Sequence, residues 1–554
     1  MITSELRPWL KNYPQGVPAN INPDAYPNLN HLLNDTFKKF RTRPAFSCMG
    51  KELTFDEIDR YSNQLAAYFH SRGLEPGDKI ALMMPNLLQY PIALFAAVRA
   101  GLVIVNTNPL YTTREMLHQF NDSGAKAIII AENFAANLEQ IIADTPIKIV
   151  MVTSIGEMLG VKGKIVDFMV RHVKKMVPKF NLVNTVTVKA GIEAGKRFSI
   201  KPFKTNPEDI IAFQYTGGTT GVSKGAMLTH RNLISNMMQM RALMAPTITE
   251  GTEICLSPLP LYHIFAFTVN CLGFFGMGGL NVLITNARDL PSVMKAFKEY
   301  KITAMTGVNT LFNALLNHDD FANLDFSGLK MTVGGGTAVQ RAVAEKWKKV
   351  TKCTLAEGFG MTETSPCASC NPFDGSGKLN SIGMPLPSTD MRIVDEDGSP
   401  LATGSTGEIQ VKGPQVMKGY YNRPDETTNV LKEGWLSTGD IGLMDKDGYF
   451  KIVDRKKDMI LVSGFNVYPN EIEDVMALHP KVLESAAIGV PDERSGEVPK
   501  IFIVKKDNSL TEKEVLEHCK ANLTGYKVPK YVEFRKDLPK TNVGKILRRE
   551  LRDK

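Results

Sequence analysis

Short apolar runs alternate with amphipathic stretches along most of this chain of 554 residues. Residues 79–84 are predicted to form a strand, residues 89–100 a helix and residues 102–106 the next strand. Further strand-like runs follow at residues 125–130, 147–152, 254–256, 302–305 and 331–333. This alternation predicts an α/β fold with layers of largely parallel sheets and helices. Because the chain is too long for one hydrophobic core, we expect two or more domains.

The pattern of apolar and polar residues changes near residue 390. Short β-runs with turns appear at residues 392–398 and 407–411, and the C-terminal stretch repeats a strand–helix pattern typical of a small α+β domain. A charged run at residues 454–458 stands between the two parts, and it is either an ordinary solvated segment or a hinge. We predict an N-terminal domain over residues 1–454 and a C-terminal domain over residues 455–554, with the hinge near residues 454–457.

Composition indicates a globular protein but does not identify its binding partner. Hydrophobic residues make up 43% of the chain and charged residues 22%, as in a globular protein. The net charge of +8 suits nucleic acid, a membrane or an anionic cofactor equally. Seven scattered cysteines indicate a reducing compartment rather than a disulfide framework. No signal-peptide pattern precedes residue 20, so a cytoplasmic protein is expected.

One uncharged stretch, residues 264–285, has the length of a membrane span. Glycines and asparagines interrupt it repeatedly. They fit a buried helix, a turn and a strand better than a helix that faces lipid. The stretch is therefore predicted to be core.

The segment from Tyr215 to Gly225 packs glycines, hydroxyl side chains and one lysine into a single loop. Glycines let backbone N–H groups approach a phosphate closely, and a lysine adds a compact positive charge. The loop is not a Walker A motif, because Ser223 precedes Lys224 and Gly225 follows it. A polar surface loop is the alternative. The density of threonines and the Lys-Gly ending favour phosphate binding.

Four further segments are richer in glycine and polar residues than their surroundings, and the first two of them follow predicted strands. Residues 334–337 and 358–364 would let a ligand lie against backbone, and Glu363 could ligate a hard cation. Asp440 offers a carboxylate suited to ribose hydroxyls, and Lys545 follows a glycine near the C-terminus. Each of these segments alone is common in structural turns.

Together and in this order, these segments resemble the adenylate-forming ligases of the acyl-CoA synthetase superfamily, over essentially the whole chain. Residues 433–457 are similar to the fatty acyl-CoA synthetase signature, and residues 84–91 and 463–473 are similar to bacterial long-chain fatty acid–CoA ligases. The resemblance implies two steps that feed fatty-acid degradation. A fatty carboxylate attacks the α-phosphate of ATP to give acyl-adenylate and pyrophosphate, and the thiol of CoA then displaces AMP.

The resemblance also implies roles for individual residues. Lys545 bridges the carboxylate and the α-phosphate, His263 lies near the carboxylate, and Thr216 with Glu363 handles Mg²⁺; these are the catalytic and metal residues. The implied ATP-binding residues are Thr216, Gly217, Gly218, Thr219, Thr220, Gly221, Lys224, Gly334, Gly335, Gly336, Gly358, Phe359, Gly360, Met361, Thr362, Asp440, Arg455 and Lys545. A mobile C-terminal domain would then rotate to present the CoA-binding residues Ser463, Gly464 and Phe465.

Residues 160–180 form a basic amphipathic pattern. Its apolar positions at helical spacing are Ile165, Phe168, Met169, Val173, Met176 and Val177, and its basic positions are Lys164, Arg171, Lys174 and Lys175. The segment is either an ordinary domain helix or a helix that rests on the inner membrane surface.

Two other interpretations of the whole chain remain open at this point. A non-catalytic binder of membrane or nucleic acid would leave the glycine loops unexplained, so nucleic acid is not expected as a partner. An adenylating ligase for medium-chain or aryl acids would fit the same motifs. The sequence leaves chain-length preference open, and whether the protein is a homodimer.

Overall fold

Two largely parallel sheets form the larger part of the protein in the computed structural model, which describes residues 7–216, 223–541 and 544–552. Within these residues the strands are β1 (Pro44–Cys48), β2 (Lys51–Thr54), β3 (Lys79–Met83), β4 (Val103–Asn106), β5 (Ala125–Ala131), β6 (Ile149–Thr153), β7 (Ile210–Thr216), β8 (Lys224–Thr229), β9 (Ile254–Ser257), β10 (Leu280–Leu283), β11 (Ala304–Gly307), β12 (Met331–Gly334), β13 (Leu355–Gly360), β14 (Cys367–Cys370), β15 (Met384–Pro385), β16 (Asp390–Val394), β17 (Gly407–Lys412), β18 (Gly419–Tyr420), β19 (Leu431–Lys432), β20 (Trp435–Met444), β21 (Phe450–Arg455), β22 (Ile460–Val462), β23 (Phe465–Val467), β24 (Val482–Asp492), β25 (Gly496–Lys505) and β26 (Tyr531–Arg535).

Helices cover both sheets and the smaller domain. The α-helices of the described residues are α1 (Leu29–Phe40), α2 (Phe55–Ser71), α3 (Gln89–Arg99), α4 (Thr113–Ser123), α5 (Ala135–Glu139), α6 (Val161–Phe168), α7 (Val188–Gly195), α8 (His230–Met244), α9 (Leu290–Glu299), α10 (Asn309–Leu316), α11 (Arg341–Thr351), α12 (Pro424–Val430), α13 (Pro469–Ala477), α14 (Glu512–Asn522) and α15 (Arg548–Arg552). Threonine caps begin several of them. Thr54 and Glu57 form a capping box at α2, and Thr511 with Glu514 does the same at α14, so each helix start satisfies its first N–H groups.

The first sheet has the strand order β18-β8-β7-β4-β3-β5-β6, and the second has β15-β14-β13-β12-β11-β9-β10-β1-β2. Their central strands pair in parallel, and antiparallel strands lie only at the margins. The parallel strands β3 and β4 are almost entirely buried, as expected for strands covered on both faces. The predicted α/β layers are confirmed, and the strand predicted at residues 79–84 is observed as Lys79–Met83.

The uncharged stretch at residues 264–285 is core, as predicted. Its first part is a buried wide-turn helix, Ala266–Phe274, and its last part is the buried strand β10. Between them, Phe275 packs against Phe46, Phe55 and Phe95 with ring centroids 4.6–5.7 Å apart. In the described part of the chain, no helix combines the length and the apolar content needed to cross a bilayer.

Two smaller sheets follow. The third joins β16, β17, β20 and β19, with β21 on β20, and the fourth joins β23, β22, β25 and β24, with β26 on β25. The third sheet ends at Arg455 and the fourth begins at Ile460, so the charged run at residues 454–458 spans the gap between them.

The C-terminal domain is docked on helix α10 of the larger part. The Thr310 hydroxyl donates to the Gly544 carbonyl at 3.1 Å, and Asn313 Nδ2 donates to the Leu483 carbonyl at 2.9 Å. Just after α10, Asn317 Oδ1 accepts from the Lys506 ammonium at 2.8 Å. These contacts bring the C-terminal residues to the edge where the strands β11 and β12 end.

Candidate active site

A cleft of about 2000 Å³ opens between the larger part and the C-terminal domain. It lies beyond the carboxyl ends of the parallel strands, the usual ligand position in such folds. The sequence-predicted residues on its wall are Thr216, Lys224, His263, Gly335, Gly336, Gly358, Phe359, Gly360, Met361, Thr362, Glu363, Asp440, Arg455 and Lys545. The structure therefore brings together residues more than 300 positions apart in the chain.

Some predicted residues are not on this wall. Gly334 lies at the end of β12, and the direction in which a Cβ would project there is filled by Val339 at 2.5 Å. The predicted loop residues Gly217, Gly218, Thr219, Thr220 and Gly221 lie outside the described residues. Ser463, Gly464 and Phe465 lie on the C-terminal domain and do not line the cleft.

A tight turn carries Lys545 into the cleft. The Thr541 N–H donates to the Lys545 carbonyl at 2.7 Å, and the Lys545 N–H donates to the Thr541 hydroxyl at 3.1 Å. Between them, Gly544 has a φ of +84°, and a Cβ at this position would lie 2.7 Å from the Thr310 hydroxyl. Glycine is therefore required both by the backbone conformation and by the close approach to α10.

The Lys545 ammonium lies in an unfavourable environment for a positive charge. Desolvation by the cleft walls lowers its pKa to about 7, and Arg455, Lys457 and Arg548 act in the same direction against the opposing effect of Asp440. An anion in the cleft would relieve this cost. The amine is thus placed where it would gain most from a negatively charged ligand.

His263 lies near this lysine. Its backbone N–H donates to the Pro260 carbonyl at 3.0 Å, which closes the turn at the start of the wide-turn helix. Desolvation lowers the pKa of His263 to about 4, and the Lys545 charge adds to that effect. The imidazole is therefore neutral near pH 7, so it can contribute hydrogen bonds to a substrate but not a fixed positive charge.

Asp440 and Arg455 face each other across the strands β20 and β21. Arg455 Nε lies 3.1 Å from Asp440 Oδ1, and the Asp440 side chain is only 5% exposed. Burial raises the pKa of Asp440, while Arg455 and Lys545 oppose that rise. A buried carboxylate held by an arginine can accept hydrogen bonds from a pair of hydroxyls such as those of ribose.

The cleft wall also contains Glu363, a buried residue whose carboxylate accepts a hydrogen bond from the Tyr420 hydroxyl at 2.6 Å. The Glu363 carbonyl also accepts from the Met417 N–H at 2.8 Å, so the short strand β18 and the residues before it fix this side chain. Burial and the nearby Glu363 raise the pKa of Tyr420, which keeps its hydroxyl protonated as a donor.

Lys224 lies on the cleft wall beside Tyr420. It is the cross-strand neighbour of Thr216, its ammonium forms an ion pair with Glu426, and it lies 4.8 Å from the centroid of the Tyr420 ring. Sequence reasoning missed Tyr420 and Glu426. Tyr420 lies on the two-residue strand β18, which pairs with β8 and is too short to give a periodic signal. Glu426 lies in the first turn of the short helix α12, where an acidic residue is ordinary, so neither residue stands out in the sequence.

The predicted CoA residues form a separate exposed turn between β22 and β23. The Ser463 N–H donates to the Ser495 carbonyl at 2.7 Å, and Gly464 has a φ of +85° with open space where a Cβ would lie. Phe465 is 56% exposed and stacks on Tyr526 with ring centroids 4.8 Å apart. In this orientation the turn faces solvent.

Comparison with known proteins assigns both parts of the chain to known enzyme families. Residues 33–421 match the AMP-binding enzyme family, and residues 471–545 match the AMP-binding enzyme C-terminal domain. The long-chain-fatty-acid–CoA ligase of Yersinia pestis is 55% identical over 98% of this chain and 97% of its own length. The feruloyl-CoA synthase of an Amycolatopsis species is 34% identical over 91% of this chain and 94% of its own length.

A solved structure extends the likeness to three dimensions. The ATP-bound MatB of Rhodopseudomonas palustris superposes with a TM-score of 0.81 at 28% identity, covering 95% of this chain and 98% of that chain. Because the first family match spans more than half of the chain and the Yersinia relative covers nearly all of it, the chain belongs to the AMP-binding enzyme family.

Proposed function

We propose that this protein activates long-chain fatty acids in two steps. A fatty carboxylate and ATP give acyl-adenylate and pyrophosphate, and CoA then converts the adenylate to acyl-CoA and AMP. The observation that carries the proposal is the Lys545 amine, delivered by the C-terminal domain into a cleft that also holds His263 and the Asp440–Arg455 pair. The name of the Yersinia relative, at 55% identity, supports the choice of substrate.

Adenylation needs charge stabilisation and alignment rather than a protein nucleophile. A carboxylate oxygen of the fatty acid bonds to the α-phosphorus while the bond to pyrophosphate breaks. The Lys545 ammonium would lie between the two anions and offset their repulsion. Asp440 would accept hydrogen bonds from the ribose hydroxyls, and Lys224 would exchange its partner Glu426 for a terminal phosphate oxygen.

Glu363 and Thr216 would hold a Mg²⁺ ion in this scheme. Both offer oxygen ligands on the cleft wall, as a hard cation requires. Over the described residues, no group of three or more His, Cys, Asp or Glu side chains is arranged to hold a metal alone. Phosphate oxygens and waters would therefore complete the coordination, which is usual for Mg²⁺ with a nucleotide. When bound, the ion would neutralise charge on the phosphates.

An apolar part of the cleft wall supports a hydrocarbon substrate. Met240, Phe265, Val269, Val333 and Cys367 line it, and all five belong to or pack against one methionine-rich hydrophobic cluster. Among these five, Met240 has a flexible side chain that can adapt to an alkyl chain. This favours a fatty acid over an aryl acid, in line with the lower identity of the feruloyl-CoA synthase.

The second step requires the exposed turn at Ser463–Phe465 to reach the cleft. We place the pivot near residues 454–457, where the third sheet ends and the chain enters the C-terminal domain. Rotation about this point would withdraw Lys545 and present Gly464 to the pantetheine arm of CoA. The lack of a Cβ at Gly464 would leave room for that thin arm.

The test of this proposal is a substrate panel. Pyrophosphate release and acyl-CoA formation are measured with butyrate, octanoate, palmitate and ferulate, each with ATP or CoA omitted in turn as a control. We expect palmitate to give the highest kcat/KM, with acyl-CoA formed only when both cosubstrates are present. A higher kcat/KM for octanoate or ferulate would assign the enzyme to medium-chain or aryl acids instead.

We also propose that residues 160–180 rest on the surface of an anionic membrane. The segment is helical over α6 and continues as a wider turn to Val173. Gly163, Val166 and Val170 face the core. The opposite side is apolar and exposed by 40–82%, and it consists of Val161, Ile165, Phe168, Met169, Val173 and Met176. An ordinary domain helix would not turn this side to water.

Basic residues flank this exposed apolar side. Lys164, Lys174 and Lys175 are exposed, and each would contribute about 1 kcal/mol near an anionic surface. Arg171, also predicted on the basic face, is exposed as well. Its guanidinium forms a forked pair with the buried Glu132 at 2.8–3.1 Å, so its charge is already compensated within the protein.

Vesicle co-sedimentation tests the membrane proposal. The variant Lys164→Gln/Lys174→Gln/Lys175→Gln should bind phosphatidylglycerol vesicles roughly 10–100-fold more weakly at low salt. The control Lys38→Gln/Lys348→Gln/Lys520→Gln removes the same charge from exposed positions elsewhere and should bind like the parent. Equal binding by all three proteins would leave α6 as ordinary scaffold.

A further inference from the structure

Arg548 lies three residues beyond Lys545, at the first position of α15, and its side chain is only 16% exposed. Its guanidinium forms a fork on Glu473, with Nη2 2.8 Å from Oε2 and Nε 3.1 Å from Oε1. The same Nη2 donates to Asn470 Oδ1 at 2.6 Å. Both partners lie on α13, so the residues after Lys545 are fixed to that helix.

The third nitrogen of Arg548 reaches the segment between the domains. Nη1 lies 3.7 Å from Asp454 Oδ1 and 3.5 Å from Asp458 Oδ2. Burial raises the pKa of Asp454, while the Arg548 charge is the largest influence opposing that rise. The arginine therefore compensates the charge of an otherwise costly buried carboxylate.

Asp454 belongs to both parts of the molecule. Its backbone lies in β21 opposite Ile441 of β20, which places it in the third sheet. Its side chain accepts from the Asn470 N–H of α13 at 2.9 Å, which places it against the C-terminal domain. A single guanidinium thus connects the last strand of the larger part, the first helix of the C-terminal domain and the turn that carries Lys545.

We infer that Arg548 is a positioning residue for adenylation, which holds the Lys545 turn in register with the segment between the domains. The inference rests on the proposed function. Lys545 and Arg548 are only three residues apart, and the Leu547 N–H between them donates to the Pro539 carbonyl at 2.8 Å. The backbone that joins the two side chains is therefore restrained. Loss of the anchor would let the lysine drift without removing it.

The experiment separates the two half-reactions in Arg548→Gln and Arg548→Lys. Pyrophosphate release reports adenylation, and conversion of supplied acyl-adenylate to acyl-CoA reports the second step. We expect Arg548→Gln to lower adenylation by about tenfold or more, since a misplaced catalytic group is costly, with the second step nearly unchanged. The control Glu550→Gln changes an exposed residue of the same helix that does not line the cleft, and it should match the parent.

A double variant distinguishes positioning from plain stabilisation. If Arg548 acts through Lys545, then Arg548→Gln should cost adenylation nothing further in a Lys545→Ala background. The alkaline decline of adenylation should also move to higher pH in Arg548→Gln, because one of the charges that lower the pKa of Lys545 is gone. A purely structural arginine would instead lower adenylation further in the Lys545→Ala background, because its loss would damage the fold whether or not the lysine is present.

Arg548→Lys keeps the charge but loses the fork, so the buried carboxylates remain compensated and the fold is preserved. It should show a smaller, selective loss of adenylation, and thermal melting checks that the fold is intact. Equal losses in both half-reactions, or a further large loss in the Lys545→Ala background, would overturn the inference. Failure of the parent to form acyl-CoA would count against the proposed function instead, independently of any variant.

Discussion

The C-terminal domain carries two glycine-centred turns that meet opposite surroundings. Gly544 and Gly464 have nearly the same backbone angle, with φ of +84° and +85°. At Gly544 a Cβ would lie 2.7 Å from the Thr310 hydroxyl, whereas at Gly464 a Cβ would meet nothing within 4 Å. The first turn is thus packed against the larger part, and the second stands in solvent.

In this orientation of the domain, only one of the two turns reaches the cleft. With Lys545 on the cleft wall, this orientation would serve the proposed adenylation step, whereas the Ser463–Phe465 turn does not line the cleft. If both turns are functional, each must act in a different orientation. The two half-reactions can therefore be damaged separately, and the following variants test whether they are.

Lys545→Ala should give the largest effect. Removing a charge aimed at a transferring phosphoryl group costs roughly 10²–10³-fold or more, so adenylation should be nearly abolished. Conversion of supplied acyl-adenylate to acyl-CoA should persist, because Lys545 would be withdrawn in that step. Lys536→Ala, an exposed lysine on the approach to the same turn, is the control. Near-normal pyrophosphate release by Lys545→Ala would remove this residue from the mechanism.

Glu363→Gln should also act on adenylation. The amide is isosteric and still accepts from the Tyr420 hydroxyl, so the local fold is kept while the charge that favours a hard cation is lost. Adenylation should fall by roughly 10–100-fold and recover in part at high Mg²⁺. The measurement is pyrophosphate release over a Mg²⁺ titration. A Mg²⁺ dependence equal to that of the parent would mean that Glu363 does not ligate the ion.

Gly464→Leu should give the reverse pattern on the exposed turn. A bulky side chain should obstruct the pantetheine path and slow the second step by about tenfold, with adenylation nearly unchanged. Single-turnover assays follow formation and decay of the acyl-adenylate separately. Gly375→Leu is the control, because Gly375 also has a positive φ of +88° with open space around it. Equal slowing of both steps by Gly464→Leu would indicate general destabilisation.

The sequence predicted the helices and strands of this fold better than the contacts between them. Apolar runs marked the strands β3 and β4 almost to the residue, because buried parallel strands read as continuous apolar stretches. Glycine and hydroxyl residues marked only part of the cleft wall. The helical period in residues 160–180 showed which side chains share a face, but not that the core takes the other face.

Contacts between distant segments could not be predicted in the same way. Tyr420 reaches Glu363 through a two-residue strand, and Arg171 reaches Glu132 across 39 positions. Arg548 meets Asp454 only because two domains pack together. No local sequence pattern predicts such contacts, since they depend on how whole sheets and helices are arranged.

The smallest expected effect is a pH dependence of adenylation, the step that would use the Lys545 turn, and not of the step that would use the Ser463–Phe465 turn. The pKa of Lys545 in the free protein is lowered to about 7, and the proposed adenylation step would use its charged form. Its contribution should be complete well below pH 7 and be lost as the pH rises through that value, so the kcat/KM of adenylation, which reports the free enzyme, should fall about fivefold between pH 7 and pH 8. The second step should show no such decline, because the lysine would then be withdrawn and a rising pH favours the CoA thiolate. Lys545→Arg sharpens the test, since a guanidinium stays charged throughout and should abolish the decline even at a lower rate. If Lys545→Arg keeps the same alkaline decline, another group titrates, and the link between the docked turn and the pH profile is wrong.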